Sequence, residues 1–113
     1  MKIVTPRDDT ELSKLLRTDE NIILDFYANW CGPCKTVSKS FEEIKKENMF
    51  TNITLIKVNI EIFTAFSNIY NIKSLPTIIC TSDASGERKN LKIKVGSLNK
   101  NELVKMIGKA YEG

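Results

Sequence analysis

The apolar pattern of this chain changes its period several times, and these changes constrain the fold more than any other feature. Three short apolar runs, at residues 22–27, 53–58 and 77–81, have the continuous character of strands that are buried on both faces. Between them, apolar residues recur every three to four positions, which is typical of amphipathic helices. One helix is predicted from about residue 34 to about residue 48. A second helix is predicted on the stripe Ile62, Ala65, Phe66 and Ile69.

The beginning of the chain adds a strand and a helix to this alternation. Ile3 and Val4 are strand-like, and the residues that follow offer a capping box in which Glu11 lies three places after Asp8. Leucines then recur at helical spacing, so a first helix is predicted after this box.

The last third of the chain lacks a helical segment between its first two strands. Residues 82–90 are polar and predict a loop, whereas residues 91–95 alternate strictly, which predicts an edge strand with one wet face. Gly96 ends this strand, and residues 99–102 cap a final helix. The predicted order is β-α-β-α-β-α-β-β-α, an α/β protein with parallel strands in the first two thirds and an antiparallel hairpin at the end.

Length and composition agree with one globular domain over residues 1–113. Hydrophobic residues make up 42% and charged residues 27% of the chain, which disfavours disorder and membrane insertion. The first residues lack the features of a secretory signal, so a cytoplasmic location is expected. The net charge of +3 comes from scattered lysines interleaved with acids, which indicates a solvated face rather than a nucleic-acid site.

Cysteine and histidine usage narrows the chemistry further. The chain has three cysteines and no histidine, which excludes Cys–His catalysis, Ser–His–Asp triads and mixed Cys/His zinc sites. Cys31 and Cys34 could form half of a zinc site, but four ligands are required and Cys80 is the only other thiol. Cys80 lies within an apolar strand and is interpreted as a small buried hydrophobe.

Cys31 and Cys34 lie between a predicted buried strand and the start of a predicted helix. Their i, i+3 spacing brings the two side chains close enough for a disulfide. A helix N-terminus favours thiolate over thiol, which makes Cys31 the expected nucleophile and Cys34 the more buried resolving thiol. Gly32 is expected to allow a tight turn, and Pro33 to restrict the loop without needing an N–H.

Asp25 interrupts the apolar strand that leads to these cysteines. Burying a carboxylate without a partner disfavours its charged form, so its pKa should rise towards neutrality. A carboxyl group with such a pKa can take and return the proton that disulfide exchange requires. A solvent-facing Asp at the end of the strand is the alternative.

The run DFYANWCGPCK at residues 25–35 closely resembles the active-site signature of the thioredoxin family, and similarity continues through residues 57–61, 72–77 and 95–96. The resemblance implies a five-stranded mixed sheet flanked by four helices. It also implies a redox-active Cys31–Cys34 disulfide, in which Cys31 attacks a client disulfide and Cys34 resolves the mixed disulfide. Asp25 would assist deprotonation of Cys34, and Lys57 would tune Asp25.

The resemblance further implies how clients and electrons reach the site. Pro76 would follow a cis peptide bond from Leu75, and the client groove would be lined by the following residues: Trp30, Gly32, Pro33, Leu75, Pro76 and Gly96. No cofactor or metal would be bound, because NADPH acts indirectly through a thioredoxin reductase. The expected partners are this reductase and disulfide-containing clients such as peroxiredoxins, with no nucleic acid or membrane, and the chain is expected to be a monomer.

Three departures from the family pattern stand out: Tyr27 in place of Trp or Phe, Lys39 in place of a proline that kinks the helix, and a longer connection at residues 82–90. The long connection is interpreted as a tolerated surface insertion or a partner contact. Two other functions stay open, a disulfide isomerase in an oxidising compartment and a scaffold or partner-binding subunit.

Overall fold

The computed structural model describes residues 1–83 and 86–112. Within them the chain forms five strands and four helices in the order predicted from the sequence. The elements are β1 (Lys2–Val4), α1 (Asp9–Thr18), β2 (Asn21–Tyr27), α2 (Gly32–Lys46), β3 (Thr54–Asn59), α3 (Thr64–Ile69), β4 (Thr77–Ser82), β5 (Lys89–Val95) and α4 (Lys100–Tyr111).

The five strands form one mixed sheet in the order β1-β3-β2-β4-β5. β3 pairs in parallel with both β1 and β2, whereas β4 is antiparallel to β2 and to β5. The central position of β2 explains its continuous apolar run, because helices cover the strand on both faces. The α/β fold with a mixed five-stranded sheet and four helices is therefore confirmed.

Two hydrophobic clusters fill the space on the two faces of the sheet. Ile22, Leu24 and Phe26 of β2 pack with Leu12 of α1, whereas Ile23 packs with α2 and α4. Because successive side chains of a strand point to opposite faces, Asp25 points to the same face as Ile23, towards α2. The same alternation places Lys57 of β3 on this face.

The helix ends differ from the predictions by one turn or less. α2 begins at Gly32, with Cys31 as its N-cap, and ends at Lys46. Both its start and its end therefore lie two residues earlier in the chain than predicted. Asp8 caps α1 by accepting from the Glu11 N–H at 2.9 Å, but the Glu11 carboxylate accepts from Arg7 instead of closing the box. The capping box of Asn99 and Glu102 on α4 is complete.

The predicted buried face of α3 is wrong except at Phe66. Ile62 and Ile69 are 63% and 79% exposed. The buried stripe is Phe63, Phe66 and Tyr70. The ring centroids of Phe66 and Tyr70 lie 5.9 and 5.6 Å from that of Phe26. Large aromatic side chains fill the space above β2 better than the isoleucines, and this selects the face of a helix of only six residues.

The predicted buried face of β5 is also wrong, because all seven of its residues are exposed. The apolar side chains Leu91, Ile93 and Val95 are 41%, 56% and 55% exposed. β5 lies at the edge of the sheet and pairs with β4 on one side only.

The connection between β4 and β5 is shorter than predicted, since β4 continues to Ser82 and β5 begins at Lys89. Part of this predicted loop, residues 84 and 85, lies outside the described residues. Within residues 1–83 and 86–112, no helix combines the length and the apolar character needed to cross a membrane.

Candidate active site

The two cysteines are joined where β2 gives way to α2. Cys31 and Cys34 form a disulfide with a Cα–Cα distance of 5.3 Å. The Cys31 N–H donates to the Ala28 carbonyl at 3.1 Å, which closes the turn. The Cys34 N–H donates to Cys31 Sγ at 3.2 Å, so this sulfur caps the helix. Pro33 lies in the first turn, where its missing N–H costs nothing.

Both cysteines are nearly buried, so Cys31 is hardly more exposed than the resolving thiol Cys34. Cys31 is 5% and Cys34 3% exposed. Both lie in a small cluster with Ala28, against which Ile60 and Leu75 pack. These neighbours come from other loops of the fold and therefore gave no signal in the local motif. Cys31 still opens to solvent, because it lines a surface groove.

Gly32 does not occupy the tight turn predicted for it. It is the first residue of α2 and has no left-handed φ, and a Cβ added there would meet nothing within 4 Å. The turn is instead closed by the Ala28–Cys31 hydrogen bond. The backbone conformation therefore does not require glycine at this position.

A groove of about 470 Å³ runs beside the disulfide. Trp30, which is 69% exposed, lines it together with Gly32, Pro33 and Leu75, which are four of the six residues expected in the client groove. The groove is also lined by four residues that the sequence analysis missed: Ile60, Ile72, Lys73 and Ser74. The resemblance at residues 57–61 and 72–77 covered all four, so a signal for them existed.

Pro76 and Gly96 do not line this groove, unlike the other residues predicted for it. The Leu75–Pro76 peptide bond is cis, as expected, and Pro76 is buried. The Gly96 N–H donates to the Pro76 carbonyl at 2.8 Å. Gly96 has a φ of +99°, a left-handed conformation that does require glycine. Both residues thus support the loop that presents Leu75.

Asp25 is fully buried in β2, which excludes the solvent-facing alternative. Neither of its carboxylate oxygens has a hydrogen-bond partner among the described residues. Burial raises the pKa of Asp25 to about 7, and the positive charge of Lys57 opposes this rise. The carboxyl group can therefore change its protonation state near neutral pH.

Lys57 is the register partner of Asp25 in the parallel pair of β2 and β3. Its ammonium donates to Ser38 Oγ at 2.8 Å and lies 4.9 Å from the centroid of the Tyr27 ring. These three side chains and Cys34 line a cavity of about 230 Å³, on a different surface from the Trp30 groove. The cavity offers a route between solvent and the resolving cysteine.

Cys80 lies in the middle of β4 and is fully buried, as predicted. Burial raises the pKa of its thiol to about 12, so it remains a neutral thiol at physiological pH. Among the described residues, no group of three or more His, Cys, Asp or Glu side chains is arranged to hold a metal ion.

Comparisons with known proteins show the family of this chain. The thioredoxin family model matches residues 3–109. A thioredoxin of Mycoplasmoides gallisepticum is 36% identical over 107 residues, which cover 95% of this chain and 99% of that protein. The structure of Plasmodium falciparum thioredoxin superposes with a TM-score of 0.78 and 30% identity, and the match covers 96% of this chain and 98% of that one. A mutant thioredoxin of Halobacterium salinarum, 24% identical, shares the fold with a TM-score of 0.80 over 99% of this chain and 93% of that one.

The WCGPCK run, the disulfide at the head of α2 and the match along nearly the whole chain all lead to one conclusion. This chain belongs to the thioredoxin family and is a protein-disulfide reductase that performs dithiol–disulfide exchange through Cys31 and Cys34.

Proposed function

We propose that the reaction begins at Cys31, whose thiolate attacks a disulfide of a client protein. One client sulfur becomes bonded to Cys31, and the other leaves as a thiolate. The Cys34 thiolate then attacks Cys31, which releases the reduced client and leaves the Cys31–Cys34 disulfide. The observation that carries this proposal is the position of that disulfide, with Cys31 at the N-terminus of α2 and on the wall of an open groove.

Asp25 is the group that receives the proton of Cys34 as this thiol attacks. Its complete burial and unpartnered oxygens support this role, since both favour a carboxyl group that holds a proton near neutral pH. Lys57 tunes this acid through its positive charge. The proton leaves through the cavity that Cys34 and Lys57 line.

Clients bind along the groove of Trp30, Gly32, Pro33 and Leu75, and their backbone adds to the exposed loop beside Leu75 in a strand-like manner. Pro76 and Gly96 hold this loop in place. A shallow groove with few polar groups suits clients of varied sequence.

Proteins of the thioredoxin family work with thioredoxin reductase and disulfide-bearing clients, and they generally hold no cofactor. For this chain, we assign electron supply from NADPH through a thioredoxin reductase and transfer to clients such as peroxiredoxins. Its place of action is the cytoplasm, and residues 1–113 act as one monomeric domain. The mild net charge of +3 gives no support to a nucleic-acid partner.

Reduction of insulin disulfides by the purified protein, with NADPH and a thioredoxin reductase, tests the activity. Cys31→Ser should reduce the rate to the uncatalysed background. Cys34→Ser should leave a covalent client complex at Cys31, visible as a band that dithiothreitol removes. Cys80→Ser is the matched control and should react like the wild type. A trapped complex with Cys31→Ser and none with Cys34→Ser would reverse the assigned order of attack.

Two further measurements separate this function from its competitors. A reduction potential far above about −200 mV against glutathione would indicate an isomerase instead of a reductant. The double variant Cys31→Ser and Cys34→Ser can be expressed in cells that lack the wild-type protein. If it restores the missing function, the protein acts as a scaffold.

A further inference from the structure

The side chains of Asp25 and Lys57 are neighbours that do not pair. They are register partners on β2 and β3 and point to the same face of the sheet. A buried carboxylate next to a lysine would ordinarily accept a hydrogen bond from the ammonium, because an unpaired buried charge is costly. Here neither Asp25 oxygen has a partner among the described residues.

The hydroxyl of Ser38 accounts for this arrangement. Ser38 lies on α2, one turn after Cys34, and its Oγ accepts from the Lys57 ammonium at 2.8 Å. The Tyr27 ring, 4.9 Å from the ammonium nitrogen, provides a second favourable contact in the same place. All these groups line the cavity of about 230 Å³, so the ammonium also has access to water there.

We propose that Ser38 is a positioning residue that anchors the Lys57 ammonium at the cavity and so keeps the Asp25 carboxyl group unpaired. This inference deepens, and rests on, the proposed role of Asp25 as the proton acceptor of Cys34. A fixed ion pair would hold Asp25 in its ionised form and make it a weaker base for the thiol. The serine thereby preserves a carboxyl group that can bind and release a proton near neutral pH.

The titratable groups that line the cavity come from three elements. Tyr27 belongs to β2, Lys57 to β3, and Cys34 and Lys35 to α2. On the other side of Asp25, its register partner on β4 is the uncharged Ile78. Lys57 is therefore the cation whose position changes when the Ser38 hydroxyl is removed.

The test is a pH titration of the Asp25 side-chain carboxyl ¹³C signal in the oxidised protein. Ser38→Ala frees the ammonium to approach Asp25, so the midpoint should fall by about one pH unit. Ser38→Thr keeps a hydroxyl and should restore the wild-type midpoint. Ser40→Ala is the matched control, since it makes the same change on the same helix at a residue that does not line the cavity. An unchanged or raised midpoint in Ser38→Ala, or an equal fall in Ser40→Ala, would overturn the proposal.

A double-mutant cycle makes the assignment specific. Lys57→Met should raise the midpoint, and Ser38→Ala added to Lys57→Met should then change nothing further. A fall that persists without Lys57 would show that Ser38 acts by another route, against the proposal. The titration needs no client and no reductase. It therefore gives an answer even if insulin reduction, the test of the proposed function, fails.

Discussion

Polar groups are buried towards both ends of the paired strands β2 and β4, and the two ends differ in how these groups are hydrogen-bonded. At the end away from the disulfide, the Tyr111 hydroxyl lies 3.0 Å from the Ile22 carbonyl oxygen and 2.8 Å from that of Thr81. It also accepts from the Thr81 N–H at 3.0 Å. At the end near the disulfide, Asp25 is fully buried, as Thr81 is, but its carboxylate has no hydrogen-bond partner among the described residues.

Arg88 adds to the contacts of the Tyr111 end. Its guanidinium donates to Thr81 Oγ1 at 2.9 Å and to the carbonyls of Leu16 and Glu20 at 3.0 and 3.1 Å. These contacts tie the start of β5 to the C-terminal end of α1. The comparison separates two uses of burial. Around Tyr111, hydrogen bonds hold the fold together, although Arg88 Nε has no partner among the described residues. At the disulfide end, the carboxyl group of Asp25 has no partner on either oxygen, and its pKa is shifted.

The largest expected effect is that of Asp25→Asn on the stability of the oxidised protein. The pKa of Asp25 is raised to about 7 in the fold. The folded state therefore binds more protons than the unfolded state between about pH 4 and pH 7, and the wild type loses stability as the pH rises through this window. At pH 8, Asp25→Asn should be more stable by roughly 3 to 4 kcal/mol, and at pH 4 about equal.

Urea unfolding at both pH values measures this difference, and insulin reduction by the same variant should be slower. Equal stability at pH 8 would mean that Asp25 is satisfied like the polar groups around Tyr111, and the contrast between the two ends would disappear.

The next largest effect is expected at the opposite end, with the opposite sign. Tyr111→Phe removes the acceptor of the buried Thr81 N–H, which should cost about 2 kcal/mol in the free energy of unfolding. Because Tyr111 does not line the groove, the rate of insulin reduction per folded molecule should not change. A variant that retains full stability, or loses activity, would contradict the separation.

The smallest effect distinguishes two glycines of the disulfide end. Gly96→Ala places a Cβ on a residue with a φ of +99° and should cost about 1 kcal/mol in thermal unfolding experiments. Gly32→Ala is the matched control, since its added Cβ meets nothing within 4 Å, and its stability should change by less than about 0.5 kcal/mol. Equal losses in the two variants would place strain at the head of α2 as well.

The sequence was sufficient for the features that depend on local pattern. The strand β2, the burial of Asp25 and the α4 cap followed from period, burial cost and capping chemistry. The cis bond before Pro76 followed from the resemblance alone.

Features that depend on what covers a segment were not predictable in this way. The near burial of Cys31 comes from Ile60 and Leu75, which belong to loops distant in the sequence. The buried face of α3 depends on a match with Phe26 of β2. The contact between Ser38 and Lys57 joins residues 19 positions apart, which no local pattern indicates.

The exposure of β5 has a consequence for association between copies of the protein. Its outer edge offers backbone N–H and C=O groups on which a strand of a second molecule could pair. Three lysines, Lys89, Lys92 and Lys94, are spaced along this strand, and a β-bulge interrupts its register opposite Cys80 and Thr81. Repulsion between like charges and an irregular edge both oppose such pairing, so the strand can stay uncovered without promoting aggregation.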